Sequence, residues 1–186
     1  MIEITRAIGK DDILQMKALQ SLNLRQNISD EEAQTQGFLT ATYSEEYFTA
    51  MHDASPAIVA KDGDKVVGYA LVATHAVRKG HDLVEGLFDS IDKCIYNGKF
   101  LAEQRYVVVG QLCVAKEYRG MQLVDQMYQH FAESMYPEYQ YVVTDIDVDN
   151  KRSLKAHERS GFEVIGTLEY GGKKWNIVLK RTGIRL

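Results

Sequence analysis

The run from Gly110 to Met135, GQLCVAKEYRGMQLVDQMYQHFAESM, constrains the fold of this chain more than any other segment. It reads as an apolar strand, a basic loop and an amphipathic helix in immediate succession. Backbone N–H groups at a helix start have no intrahelical partner, and the positive end of the helix dipole lies behind them. A strand that enters such a start through Arg119 and Gly120 makes a place for an anion, and a phosphate or pyrophosphate suits it. Further along, IDVDNKRSLKAHERSGFEVIG repeats strand then helix and ends at Ser160-Gly161-Phe162. Lys116, Arg119, Lys151, Arg152 and Lys155 gather at these two junctions although the whole chain carries a net charge of −4. Each alone reads as a solvated helix end; together, at an anion site, they point to a polyanionic ligand. The acidic balance argues against a dedicated nucleic-acid binder, which concentrates basic excess on one face.

The remaining pattern supplies an α/β frame. MIEITRAI alternates as a first strand, and Ile13, Met16 and Leu19 then recur at helical spacing behind the capping candidates Asp11 and Asp12. Residues 23–43 read as polar and irregular. Ser44, followed by Glu45 and Glu46, opens a helix that carries Tyr47, Phe48 and Met51. AIVAKDGDKVVGYALVAT reads as a hairpin turning at Asp62-Gly63. Residues 77–105 form an insertion whose Leu83, Leu87, Ile91 and Ile95 suggest a helix, long enough to act as a lid or a dimer contact. After the strand YVVVGQLCV, a helix over 121–136 presents Leu123, Val124, Met127, Phe131 and Met135 and stops at Pro137. A strand to Val148, a helix over 150–160 capped by Gly161, and a hairpin at Gly171-Gly172 complete the chain. The strands ending at Val114 and Val148 should run parallel through a helical crossover, with ligands beyond their carboxyl ends.

At 186 residues with 45% hydrophobic content, one domain over 1–186 is expected. No signal-peptide or membrane-length apolar run stands out, so a cytoplasmic location without membrane contact is expected. Cys94 and Cys113 read as reduced core residues rather than a disulfide, and the five histidines lack metal-ligand spacing.

LCVAKEYRGMQLV and DNKRSLKAHERSGF together resemble the GNAT superfamily of N-acetyltransferases, and the element order does so over nearly the whole chain. The first segment is similar to the family's L-x-V strand leading into Q/R-x-x-G-x-G/A; the second is similar to N-x-x-S/A-x-x-x-Y-x-x-x-GF, with Asn150, Ser153 and Gly161-Phe162 in register. The resemblance implies a mixed, largely antiparallel sheet with a splayed central parallel pair, flanked by helices. It also implies acetyl-CoA as acetyl donor and direct attack on the thioester by the primary amine of a small molecule or peptide. Leu112, Cys113 and Val114 would pair with the pantetheine arm, and Arg119, Gly120, Met121, Gln122, Leu123 and Val124 would hold the pyrophosphate, with Asn150 and Ser153 beside them.

Where most of the family has the thiolate-protonating Tyr, this chain has His157. It is either a proton donor with a reference pKa near ~6.5 or a helix residue that only touches the cofactor. Gln122 and Val124 replace the motif's small residues, and their side chains either point away or fill the pocket. The first is expected, since a helix start needs no positive φ. Phe38, Tyr43 and Glu46 fall where the resemblance places the acceptor loop, and an aromatic plus a carboxylate would suit a cationic amine. Asp145, Asp147 and Asp149 alternate toward one side, either into the cleft or as a solvated face, and the general base stays open. A non-catalytic acyl-CoA-binding module is the alternative function. A nucleotide-binding reading lacks GxxxxGK[ST] and GxGxxG.

Overall fold

The computed structural model describes residues 1–183. Nine strands and six helices follow in chain order: β1 (Ile2–Arg6), α1 (Gly9–Asn23), α2 (Asp30–Gln36), α3 (Glu45–Ala54), β2 (Ile58–Asp62), β3 (Lys65–Ala73), α4 (Asp82–Asp92), β4 (Ile95–Tyr96), β5 (Lys99–Phe100), β6 (Tyr106–Val114), α5 (Leu123–Met135), β7 (Tyr141–Asp147), α6 (Lys151–Arg159), β8 (Glu163–Tyr170) and β9 (Lys173–Arg181). Seven strands form one sheet in the order β1-β2-β3-β6-β7-β9-β8, and β4 and β5 form a separate small hairpin. Only β6 and β7 pair in parallel; every other pairing is antiparallel. The mixed sheet with one parallel pair is the architecture expected from the element order.

Local chemistry explains most of the element starts. Ser44 caps α3 by accepting from the Tyr47 amide at 3.1 Å, and Asn150 caps α6 by accepting from the Ser153 amide at 3.0 Å. At α1 the helix begins two residues before the expected caps: Ile8 holds the cap position, and Asp12 reaches back to its N–H at 2.7 Å while pairing with Lys61. Residues 23–43 are more regular than expected, because Ser29 caps the short helix α2 through the Glu32 amide at 3.1 Å. The β2–β3 hairpin turns at Gly63, whose φ of +59° a side chain would strain.

The helices cover the sheet with apolar faces. Helices α1 and α3 pack on each other and on β3, whereas α5 lies over β1, β2, β3 and β6 with α6 beside it. In the insertion, α4 buries Val84, Leu87, Phe88 and Ile91, while Leu83 is half-buried and Ile95 lies exposed on β4, beyond the helix. The Tyr106 hydroxyl donates to Asp92 at 2.7 Å, Arg78 pairs with Asp89 and Asp92, and Tyr47 donates to the Val77 carbonyl at 3.0 Å. Helix α4 therefore packs into the core wall. Both cysteines are free. Among the described residues, no helix is long and apolar enough to cross a membrane.

If α4 is a core element, Phe88→Ala should cost about 3–5 kcal/mol, the range for a fully buried ring whose neighbours cannot collapse. Urea unfolding should show a lower midpoint with an unchanged slope; a loss below about 1 kcal/mol would show the insertion to be dispensable packing.

Candidate active site

Strands β6 and β7 pair only from Tyr106–Tyr141 to Val108–Val143 and then part. Side chains satisfy the carbonyls exposed where they separate. Thr144 donates to the Val109 carbonyl at 3.1 Å and Tyr43 to the Gly110 carbonyl at 2.9 Å. Gln111 pins the same point, donating to the Ala41 carbonyl at 2.9 Å and accepting from Gln20 at 3.0 Å and Tyr69 at 2.8 Å. Beyond it, the edge of β6 that faces away from β3 borders a cleft of about 590 Å³. Leu112, Cys113, Val114, Arg119, Gly120, Gln122, Leu123, Val124, Asn150, Ser153 and His157 all line that cleft. Met121 does not; its side chain is exposed at the surface.

The mouth of the cleft is the start of α5, where no side chain caps the helix. The first-turn amides there have no intrahelical partner, so they remain available to an anion. Gly120 has φ of +85°, a conformation only glycine takes without strain. Gln122 corrects an expectation: the helix starts at Leu123 and Gln122 sits before it in the left-handed region, φ 58° and ψ 21°, at the position where the motif carries Gly. The turn demands positive φ, and this chain meets the demand with a strained side-chain residue. Both Gln122 and Val124 line the cleft without closing it.

The basic residues are less free than their sequence positions suggested. Arg119 donates to the Val114 carbonyl at 3.3 Å, to Glu32 at 3.3 Å and to Asn23 at 2.6 Å, and Lys116 also binds Glu32 at 3.2 Å. Arg152 donates to the Thr35 carbonyl at 3.0 Å. Helix α2 is thereby tied across the cleft to both junctions. Glu32 was not singled out in the sequence; its only signal there was an acid within the capped run Ser29-Asp30-Glu31-Glu32.

At the inner end, His157 is buried in α6. Its Nδ1 lies 2.8 Å from the Ser153 carbonyl, which can only accept, so Nδ1 carries the proton. Nε2 is then the lone-pair nitrogen, and it accepts from the Tyr128 hydroxyl at 2.5 Å. Burial drives the imidazole pKa down to about 4, against smaller opposing effects of the Ser153 carbonyl and Asp125. Burial therefore favours the neutral ring. The proton of the bond to Nε2 belongs to Tyr128, whose own pKa burial raises. Tyr128 went unnoticed in the sequence because it stands among the apolar residues of the α5 face.

A second cavity, about 160 Å³, meets the first at Leu112, Asn150, Ser153 and His157. Phe38 lines both cavities and Tyr43 lines the second, fully buried; Glu46 lines neither and stands exposed on the first turn of α3, bonded to Ser44. Of the alternating aspartates, Asp147 is paired with Lys173 at 2.8 Å and Asp149 follows β7, its amide bound to Asp147. Asp145 lines the second cavity, and burial pushes its carboxyl up to about 6, opposed by its own backbone N–H. In the first cavity, burial pushes the Cys113 thiol up to about 12, so it is protonated at neutral pH.

A splayed parallel pair with an uncapped helix start at its mouth defines a coenzyme-binding α/β fold. The chain belongs to the acetyltransferase (GNAT) family, whose model matches residues 23–162, and enzymes of this family use acetyl-CoA as acetyl donor. Among solved structures of the same fold, the ribosomal-protein-S18-alanine N-acetyltransferase of Escherichia coli is 9% identical with a TM-score of 0.64, covering 100% of this chain and 96% of its own. The NatC complex bound to Gag peptide and CoA is 13% identical with a TM-score of 0.67, covering 98% and 99%. The structure of yncA from Salmonella typhimurium with its cofactor acetyl-CoA is 15% identical with a TM-score of 0.63, covering 97% and 93%. No curated protein sequence matches the chain.

Two stability measurements probe this geometry. Gln122→Gly should stabilise the fold by up to about 1 kcal/mol, the left-handed penalty of a side-chain residue less the added chain entropy of glycine. An unchanged or lower Tm would show that Gln122 contacts outweigh the strain. Asp145 has a folded pKa above its unfolded one, so its contribution is favourable below the unfolded value and is lost as pH rises through about 6. Asp145→Asn should therefore be more stable than the parent at pH 8, by about 1–3 kcal/mol, with the gap closing toward pH 4. A gap independent of pH would deny the buried charge.

Proposed function

We propose that the protein is an acetyl-CoA-dependent N-acetyltransferase that moves an acetyl group directly to a primary amine. The observation that carries this reading is the continuity of the two cavities. One runs from the uncapped start of α5 along the free edge of β6, and the other joins it at His157. The first-turn amides of α5 would hold the pyrophosphate, with Gly120 allowing close backbone approach. The edge at Leu112–Val114 would bond to the amide-bearing arm as an added strand would, and Asn150 and Ser153 close the opposite wall. When bound, acetyl-CoA supplies a thioester carbonyl open to attack by nitrogen.

Tyr128, which lines the second cavity beside His157, would turn its hydroxyl proton from His157 Nε2 to the departing sulfur and regain one from the nitrogen after attack. Direct transfer fits the protonated state of Cys113, the one thiol that lines the cleft. Phe38 and Tyr43 belong to the acceptor wall. The cytoplasm is the compartment that fits two free cysteines and a CoA thioester donor.

Calorimetry with acetyl-CoA should give a single site per chain, and the absence of heat at high micromolar protein would end the assignment. Tyr128→Phe should lower kcat by roughly 10- to 100-fold with acetyl-CoA affinity unchanged. Equal turnover of parent and variant would remove Tyr128 from the chemistry. Tight binding with no thiol release from any amine would leave an acyl-CoA-binding module.

A further inference from the structure

The second cavity combines features that select a ligand. Tyr43, Tyr128, Tyr170, Trp175 and Phe38 line it, and its volume of about 160 Å³ lies below the roughly 300–1,000 Å³ of sites for drug-sized molecules. Two carboxylates enter it, and they are not equivalent. Asp147 is neutralised by Lys173, whereas no cation among the described residues pairs with Asp145. Asp145 stands on β7 two residues past the last pairing of β7 with β6, and it lines this cavity rather than the cofactor cleft. A carboxylate without a cation, in a cavity that aromatic side chains also line, suits an organic cation, since the carboxylate supplies charge and the rings supply cation–π attraction and apolar contact.

We infer that the cavity takes a compact primary arylalkylammonium, that Asp145 receives its charged nitrogen, and that the same carboxylate removes the proton that makes the nitrogen a nucleophile. This rests on the acetyl-transfer reading of the same site. The balance is complete within it. One ammonium proton passes to the Asp145 carboxylate. The freed nitrogen lone pair forms the C–N bond, the C–S bond breaks, and the sulfur leaves with the electron pair. A second proton lost from nitrogen is balanced by the one delivered to sulfur through Tyr128, and the Asp145 proton escapes to water.

The groups that face Asp145 leave it as the site that titrates near pH 6. Tyr43, from the segment before α3, and Tyr128, on α5, are both pushed above the ordinary phenol range. His157 on α6 is neutral above about pH 4, Asp147 and Lys173 form a pair across β7 and β9, and Tyr170 lies on β8.

The test uses 2-phenylethylamine, n-butylamine and the tripeptide Ala-Ala-Ala as probes. Calorimetry with 2-phenylethylamine alone should show binding to the parent and at least a tenfold weaker fit to Asp145→Asn, a variant expected to be well folded. This readout does not require acetyl-CoA, so failure of acetyl-CoA to bind would overturn the transferase reading and the proton-transfer role of Asp145 with it, while amine binding at Asp145 is tested separately. In thiol-release assays, kcat/KM for 2-phenylethylamine should exceed that for the tripeptide at least tenfold. It should rise to a plateau with a midpoint near pH 6, and fall at least 100-fold in Asp145→Asn. A tenfold rise per pH unit continuing to pH 9 would mean that amine freed in solution is the substrate, and would overturn the inference. Equal amine affinity in both proteins, or preference for the tripeptide, would overturn it as well.

Discussion

The parting of β6 from β7 is the event on which the site depends. Three residue pairs hold the strands together, and then their carbonyl and amide groups lose their partners inside the protein. Such groups are costly to bury unsatisfied. The chain resolves this at Val109 and Gly110 with the hydroxyls of Thr144 and Tyr43. Past that point the strand edge borders the cleft instead. The division decides where the backbone is sealed and where it stays available, and the Gln111 network, with its buried bonds to Gln20 and Tyr69, keeps the boundary in place.

The two cavities on either side of this boundary differ in kind. The larger one is built from main chain: a strand edge and a helix start, both of which offer fixed donors and acceptors without side-chain entropy. The smaller one is lined by several aromatic side chains, with one carboxylate that lacks a cation among the described residues. Backbone recognition suits a ligand that every relative shares, whereas side chains are free to differ between relatives that act on different acceptors. His157 stands at the join, hydrogen-bonded to Tyr128, and burial shifts both groups toward their neutral forms.

Much of this was legible in the sequence because backbone demands leave marks there. The strand-loop-helix run, the capping residue Ser44 and the turn at Asp62-Gly63 each express a local rule, and the observed elements begin and end close to them. Side-chain environments left weaker marks. His157 could be found by its place in the motif, but the downward shift of its imidazole follows from burial, which the sequence does not show. The three aspartates of 145, 147 and 149 look alike in sequence; only the positions of Lys173 and the aromatic walls tell them apart. Glu46 read as an acceptor ligand from its neighbourhood in the chain, and helix α3 turned it outward. The positive φ at Gln122 was missed because a non-glycine residue there advertises a relaxed backbone.

Helix α2 carries a consequence of a different sort. Its described side chains are half-buried or exposed, and its polar links to other elements include Glu32 to Lys116 and Arg119, Asp30 to Arg25 and the Thr35 carbonyl to Arg152. The sheet beneath is held by apolar burial, which dissolved ions do not weaken. The molecule thus has a rim whose grip loosens as ionic strength rises, set on a frame that is indifferent to it.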